Sequence, residues 1–143
     1  LSDKLLTEGN TVAALDELYI WLSDNVAVGT TIIEYIRNCL KRVRKKESAM
    51  LLASQNLEDF NQEGIRELTK PLFAIPPHQF LFNAGAVDKK FYMEALQLEE
   101  SEYNLIRFPQ RGVCLYRCGN ERSLLEVHAP AYKEALFGKA GGR

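Results

Sequence analysis

A segment with helical periodicity lies between two short apolar runs, and this order constrains the fold more than any other feature of the sequence. Apolar residues recur from position 32 to 43 at the spacing of one helix face, and Thr31 and Glu34 have the spacing of a capping box at its start. The apolar runs on either side, residues 11–15 and 48–54, have the length of strands. Strand, crossover helix and strand form a unit that is almost always parallel and right-handed. The sequence therefore predicts an α/β fold in which both strands end at the same edge of one sheet.

Two carboxylates follow the first run, and an amide follows the second. Asp16 and Glu17 come directly after the first run, and Gln55 comes directly after residue 54. The C-terminal edge of parallel strands is where open α/β sheets bind ligands. Nucleotide hydrolysis needs an acid there to hold the water shell of magnesium, and a carboxylate that takes a proton from the attacking water. In this interpretation Asp16 is the metal residue, Glu17 is the base, and Gln55 senses the γ-phosphate.

The first apolar run also fits a helix, and the sequence leaves this alternative open. In a helix, the apolar residues from position 12 to 22 would form one stripe, and Asp16 and Glu17 would be solvated on the outer face. Short apolar runs do not distinguish the two structures by periodicity alone. The stripe consists of Val12, Leu15, Leu18, Tyr19 and Leu22.

A basic run, Lys41-Arg42-Val43-Arg44-Lys45-Lys46, closes the helical segment. A guanidinium from this run could reach the nucleotide of a neighbouring subunit and offset the charge that develops during phosphoryl transfer. The same run could contact DNA phosphates. Alternatively, it complements the helix dipole and solvates the surface. The net charge of -1 means that any contact with nucleic acid must come from such a local patch.

The second half of the chain predicts further helices. A helix over residues 62–70 is expected to stop at Pro71, and Asp88 and Ser101 are expected to cap the next two helices. A last helix is expected over residues 130–137.

Strand signals complete the predicted sheet. Residues 79–82 form a third apolar run, and Gly119-Asn120 is a turn signal between the strand-like runs 113–117 and 123–128. The expected fold is α/β, with a partly parallel sheet, an antiparallel hairpin at its edge and helices on both faces. The chain lacks a dividing linker, so residues 1–143 are expected to form a single domain.

Other residue types indicate no further chemistry. The three cysteines are expected to be reduced, and the two histidines have no partner pattern for a zinc site or a catalytic triad. The aromatic residues of the predicted elements are expected in the core rather than on a surface that stacks bases. No apolar run is long enough to span a membrane, and the first residues lack the pattern of a signal peptide. The aromatic residues that are expected in the core are Phe80, Phe82, Phe91, Tyr92, Tyr103 and Tyr116.

Three segments, taken in order, resemble motifs of a known family. Leu15-Asp16-Glu17 looks like a Walker B strand end, and Lys41-Arg42-Val43-Arg44-Lys45 looks like an arginine-rich segment. Ser54-Gln55-Asn56-Leu57-Glu58-Asp59 looks like the glutamine motif of the next strand. With this order and spacing, the chain resembles the C-terminal part of the conjugative-transfer ATPases of type IV secretion systems, in the HerA/FtsK group of RecA-like motors.

The resemblance implies a site and its ligands. It implies Asp16 and Glu17 as magnesium and water residues, Gln55 with Asn56 at the nucleotide, and Arg44 or Arg42 as the arginine that acts in trans. The ligands would be ATP and Mg²⁺, bound in a homo-hexameric ring at the cytoplasmic face of the membrane together with other secretion or conjugation proteins.

The phosphate-binding half of such a motor is missing from the sequence. No glycine-rich loop with Gly-Lys-Ser or Gly-Lys-Thr occurs in it. The chain is therefore expected to be a fragment of a motor domain that cannot hydrolyse ATP alone. A non-catalytic α/β module that binds protein partners in the transfer apparatus is the alternative.

Overall fold

The computed structural model describes residues 3–21, 26–55, 57–61 and 66–138 of the chain. It confirms the α/β fold class. The contacts group the chain into two compact units, the first formed by residues up to 77 with 86–98, and the second by 78–85 with the residues from 99 onward. The strands are β1 (Val12–Leu15), β2 (Ala49–Leu52), β3 (His78–Leu81), β4 (Val113–Cys118) and β5 (Glu121–Glu126). The α-helices are α1 (Val26–Arg42), α2 (Arg66–Ala74), α3 (Lys89–Leu96), α4 (Glu100–Leu105) and α5 (Ala131–Phe137).

The first unit contains the predicted parallel pair of strands. Strand β1 pairs with β2 in parallel, with Val12 opposite Ala49 and Leu15 opposite Leu52. The backbone N–H of Ala53 donates to the carbonyl of Leu15 at 2.9 Å, so the pairing extends to the C-terminal ends of both strands. Residues 12–15 thus form a strand, and the helical alternative for them is wrong.

Helix α1 connects these strands and is longer than predicted. In the described residues it begins at Val26, so the expected start at Thr31 is wrong. Residues that precede Thr31 are already helical, so their carbonyls can accept bonds from the N–H groups of the next turn. A capping box is needed only where such N–H groups have no helical partner. A 3₁₀ turn, Val43–Lys46, follows α1 directly and contains most of the basic run.

The apolar stripe of α1 forms the core of the first unit. Ile33 and Ile36 are buried against Leu18, Phe60 and Leu72. A second buried cluster joins the short π-helical segment Asp3–Glu8 to β1 and to the 3₁₀ turn. It consists of Leu5, Ala13 and Val43.

One face of the parallel pair is packed and the other is exposed. Ala13 and Met50 pack into the second cluster. On the opposite face Val12 is 74% exposed and Leu51 is 58% exposed, and Ala14 and Ala49 are exposed as well. This exposure is unusual, because parallel sheets in α/β proteins are normally covered on both faces.

Helix α2 continues through the proline that was expected to end it. Pro71 lies inside the helix, and the N–H of Ile75 donates to the Pro71 carbonyl at 2.9 Å. Proline removes the bond that a backbone N–H at this position would donate to Glu67. The helix continues because the next residue, Leu72, is buried in the core of the first unit.

The second unit contains a three-stranded antiparallel sheet in the order β3-β4-β5. The hairpin turn is confirmed, because Cys118 pairs with Glu121 and leaves Gly119 and Asn120 as the turn. Gly119 has a φ of +56°, a conformation that glycine adopts without steric cost. The third strand of the sequence, β3, pairs with β4 of the hairpin.

Two predicted helix starts have different outcomes. Asp88 caps α3 as expected, since its carboxylate accepts a bond from the N–H of Phe91 at 2.9 Å. The expected cap at Ser101 is wrong, because α4 begins at Glu100. There the Glu102 carboxylate accepts a bond from the N–H of Glu99 at 2.9 Å and satisfies the helix start.

The core assignment of the aromatic residues is only partly right. Tyr92 is buried, whereas Phe80 and Phe82 are 51% and 52% exposed, so the expectation is wrong for these two. In β3 the buried side chain is Leu81, and the alternation of a strand turns its neighbours to the opposite face. Within the described part of the chain, no helix is long and apolar enough to cross a membrane.

Candidate functional site

The C-terminal ends of β1 and β2 bring a glutamate and a glutamine into contact. The side-chain amide of Gln55 donates from Nε2 to Oε1 of Glu17 at 2.8 Å. The backbone holds these residues together, because the N–H of Leu18 donates to the carbonyl of Ala53 at 3.0 Å. The predicted juxtaposition of the two strand ends is confirmed as a geometry.

Glu17 has an unusual backbone conformation. Its φ is +51°, in the left-handed region that non-glycine residues adopt only at a cost. In a continuing strand, the side chains of Asp16 and Glu17 would point to opposite faces. The left-handed residue interrupts this alternation at the strand end. Strained residues of this kind cluster at functional sites.

The two oxygens of the Glu17 carboxylate differ in their surroundings. Oε1 accepts the bond from Gln55, whereas Oε2 is buried and has no hydrogen-bond partner among the described residues. A carboxylate oxygen without a partner costs free energy when it is buried. Oε2 is thus shielded from solvent, and Oε1 is the oxygen with an identified donor.

Asp16 lies beside this pair and is exposed. Its Oδ1 accepts a bond from the N–H of Glu17 at 2.9 Å, which holds the carboxylate at the strand end. Among the described residues, no group of three or more His, Cys, Asp or Glu side chains is arranged to hold a metal ion. Mg²⁺ does not need one, since it keeps several waters and binds one or two carboxylates together with substrate phosphates. Asp16, beside Glu17, fits such an ion.

The remaining predicted site residues lie elsewhere. Arg42 ends α1 and Arg44 lies in the 3₁₀ turn, and both are exposed. The carbonyl of Lys46, at the end of this turn, accepts a bond from the N–H of Asn10 at 3.1 Å, just before β1. The basic run therefore meets the N-terminal ends of the strands, opposite the edge that carries Glu17. Asn56 lies outside the described residues.

The hydrogen bonds described for Glu17 and Gln55 involve no cysteine or histidine. Cys39 and Cys114 are buried and free, and burial raises the pKa of the Cys114 thiol, which makes it a poor nucleophile. His78 shares a 2.7 Å hydrogen bond with the hydroxyl of Tyr116, and His128 lies 3.2 Å from a Glu126 oxygen on the surface.

One feature of the site has no signal in the sequence. The left-handed backbone of Glu17 is not predictable, because Asp and Asn rather than Glu favour this conformation. A turn signal of glycine or asparagine would have revealed it.

These elements define a class of fold. A parallel strand pair with a crossover helix, followed by an antiparallel three-stranded sheet and helices, is an α/β fold. Among solved structures, the structure of VirB4 of Thermoanaerobacter pseudethanolicus matches with a TM-score of 0.78 and 24% sequence identity. The match covers 92% of this chain and 34% of that chain. It confirms at the level of the fold the resemblance to the type IV secretion ATPases.

The comparisons based on sequence found no match. No protein-family model matches the chain, and no curated protein matches it.

Proposed function

We propose that the chain is part of an ATP-hydrolysing motor of a conjugative DNA-transfer or type IV secretion system. The observation that carries this proposal is the contact between Glu17 and Gln55 at the C-terminal ends of two parallel strands. This is the edge where α/β sheets bind nucleotides, and the fold similarity to VirB4 agrees with it.

In the proposed site, Glu17 accepts a proton from the attacking water and Gln55 contacts the γ-phosphate. Asp16 would hold Mg²⁺ through its water shell, and the ion supplies positive charge to the phosphate oxygens. The half-buried Glu17 carboxylate, held by Gln55, suits a base, and the exposed Asp16 suits an ion that keeps its waters.

The proposal requires a phosphate-binding half outside these residues. The exposed apolar face around Val12 and Leu51 supports this part, because a parallel sheet is normally covered on both faces. We propose that the rest of a RecA-like domain covers this face, and that the chain alone does not hydrolyse ATP.

The basic run is the proposed source of the arginine that acts in trans. Arg42 and Arg44 are exposed at the end of the strands opposite Glu17, a position that suits the site of another subunit rather than their own. A ring of identical subunits, a hexamer in the proposed motor, would supply such a neighbour. The ring would lie at the cytoplasmic face of the membrane with other secretion proteins. Contact of residues 41–46 with DNA is a second use of the same charges.

The test of this function uses the complete motor protein that contains the chain. Glu17→Gln is expected to retain ATP binding and to lower turnover by a factor of roughly 10² to 10⁴, the usual contribution of a general base. Glu34→Gln, an exposed change on α1, is the matched control and is expected to retain turnover. Normal turnover in Glu17→Gln would contradict the proposal.

A second candidate is a non-catalytic module that binds protein partners, and the exposure of α5 favours it. Tyr132 and Leu136 lie one helical turn apart and are 63% and 74% exposed. This function predicts that a transfer assay tolerates Asp16→Ala and Glu17→Ala, whereas Tyr132→Ala with Leu136→Ala abolishes transfer. The ATPase proposal predicts the opposite result for the two carboxylates.

A further inference from the structure

The contact between Gln55 and Glu17 joins two side chains that the proposed mechanism uses for different tasks. The amide was assigned to the γ-phosphate and the carboxylate to the water. The Nε2–Oε1 distance of 2.8 Å is that of a good hydrogen bond. The two groups are therefore not independent.

A glutamate side chain needs constraints before it can act as a base, because it has several rotatable bonds. The Glu17 backbone is constrained by its left-handed conformation and by the bond from its N–H to Asp16 Oδ1. The amide of Gln55 constrains the far end of the side chain through Oε1. Glu17 is thus held at its backbone and at the carboxylate of its side chain.

The Gln55 amide uses only part of the capacity of the Glu17 carboxylate to accept hydrogen bonds. An ionised carboxylate offers about four lone-pair sites, and one donor uses one of them. Oε2 is buried and has no hydrogen-bond partner in the described part of the chain. The two oxygens are consequently distinct in a way that an exposed, freely rotating carboxylate would not be.

We infer that Gln55 is a positioning residue for Glu17, whose amide holds Oε1 and so fixes the orientation of the carboxylate that accepts the proton of the attacking water. This inference rests on the proposed function and specifies one contact within it. The water gives its proton to the Glu17 carboxylate as its oxygen bonds to the γ-phosphorus. The bond from that phosphorus to the bridging oxygen breaks with its electron pair, and ADP and inorganic phosphate are released.

A double-mutant cycle in the complete motor tests the inference. Gln55→Ala is expected to lower kcat by a factor of roughly 10 to 100, the scale of a misplaced catalytic group, and to raise KM for ATP and the Kd of a non-hydrolysable ATP analogue by a smaller factor, because the amide also contacts the γ-phosphate. If Gln55 acts through Glu17, it has nothing to position once the base is gone. Gln55→Ala is then expected to cause no further loss of single-turnover rate in a Glu17→Gln background.

Controls separate this inference from its alternatives. Gln110→Ala, an exposed change in the second unit, is expected to leave kcat and KM unchanged. Losses that multiply in the double variant, or a Gln55→Ala variant whose defect lies in KM and analogue binding rather than in kcat, would mean that the amide serves the phosphate alone, and would overturn the inference while the ATPase function stands. Normal turnover in Glu17→Gln alone would instead remove the proposed function.

Discussion

Glu17 and Glu47 have almost the same left-handed backbone, with φ values of +51° and +52°. Glu17 lies at the C-terminal end of β1 and contacts Gln55, whereas Glu47 ends the 3₁₀ turn and is exposed. Both residues carry the steric cost of this region, roughly 1–2 kcal/mol each. Only one of them has a side chain in the proposed site.

Glycine substitution at these two positions separates strain from function. Glu47→Gly is expected to stabilise the protein by about 0.5 kcal/mol, because relief of strain exceeds the entropy cost of glycine of roughly 0.5–1 kcal/mol. Glu17→Gly gains the same relief but loses the bond to Gln55, so its free energy of unfolding is expected to stay within about 1 kcal/mol of the parent. Urea titrations measure both changes.

The same pair is then assayed for ATP turnover in the complete motor. Glu47→Gly is expected to be active and Glu17→Gly inactive. A Glu17→Gly protein that is destabilised by several kcal/mol would show instead that Glu17 is retained for the fold.

The buried hydroxyl of Thr69 is expected to matter more than any exposed threonine. Thr69 is 1% exposed, and its hydroxyl lies 3.1 Å from the Phe60 carbonyl and 2.9 Å from the Arg66 carbonyl. Thr69→Val keeps the shape but leaves the Phe60 carbonyl without this donor, so we expect a loss of about 1–3 kcal/mol in the free energy of unfolding. Thr7→Val, at an exposed position, is the control, with an expected change within about 0.5 kcal/mol. Equal changes in both variants would contradict the assignment.

Gly112 is expected to tolerate no side chain. Its φ is +78°, and a Cβ there would overlap the carbonyl oxygen of Val127, whose N–H donates to the Gly112 carbonyl at 2.9 Å. Gly85 has a φ of +62° but no atom within 4 Å of its would-be Cβ. Gly85→Ala is therefore expected to cost about 1 kcal/mol for the backbone alone, and Gly112→Ala clearly more. Thermal unfolding compares the two, and a smaller cost at Gly112 would refute the close approach.

Glu102 is expected to give the second unit a pH-dependent stability. Burial raises the pKa of this carboxyl, but the bonds from the Glu99 N–H and from Arg122, at 2.7 Å, outweigh burial and hold the pKa below its ordinary value of 4.5. A depressed carboxyl pKa stabilises the fold above the unfolded-state value and loses that contribution as the pH falls through the folded-state value. The loss is therefore expected from 4.5 downwards.

Glu102→Gln tests this dependence. Glutamine can still accept the bond from Glu99, as in a capping box, but it cannot pair with the charge of Arg122. The variant is expected to be less stable than the parent at neutral pH by about 1–2 kcal/mol, and the difference should shrink in acid. Glu67→Gln is the control, because Glu67 pairs with Lys70 on the open surface, where ion pairs contribute little. A difference that persists unchanged in acid would exclude the ionic contribution.

The turns and caps of this chain were predictable where one local interaction decides them. The pair Gly119-Asn120 and the cap at Asp88 were located correctly, because a positive φ and a carboxylate near a free N–H are requirements of single residues. Local signals failed at Thr31, Pro71 and Ser101. At each of these positions neighbouring turns or buried residues offered a more stable alternative than the local signal.

The order of strand, helix and strand predicted that Asp16, Glu17 and Gln55 lie at one edge of a parallel strand pair, because parallel strands have their C-terminal ends at the same edge. The same sequence left open whether residues 12–15 are a strand or a helix, and the pairing of β1 with β2 resolved this. The contact of Gln55 with one oxygen of Glu17, and the burial of the other oxygen without a partner in the described residues, became visible only in the folded chain. Those features depend on a left-handed backbone and on contacts between residues 38 positions apart, which no local pattern of side chains encodes.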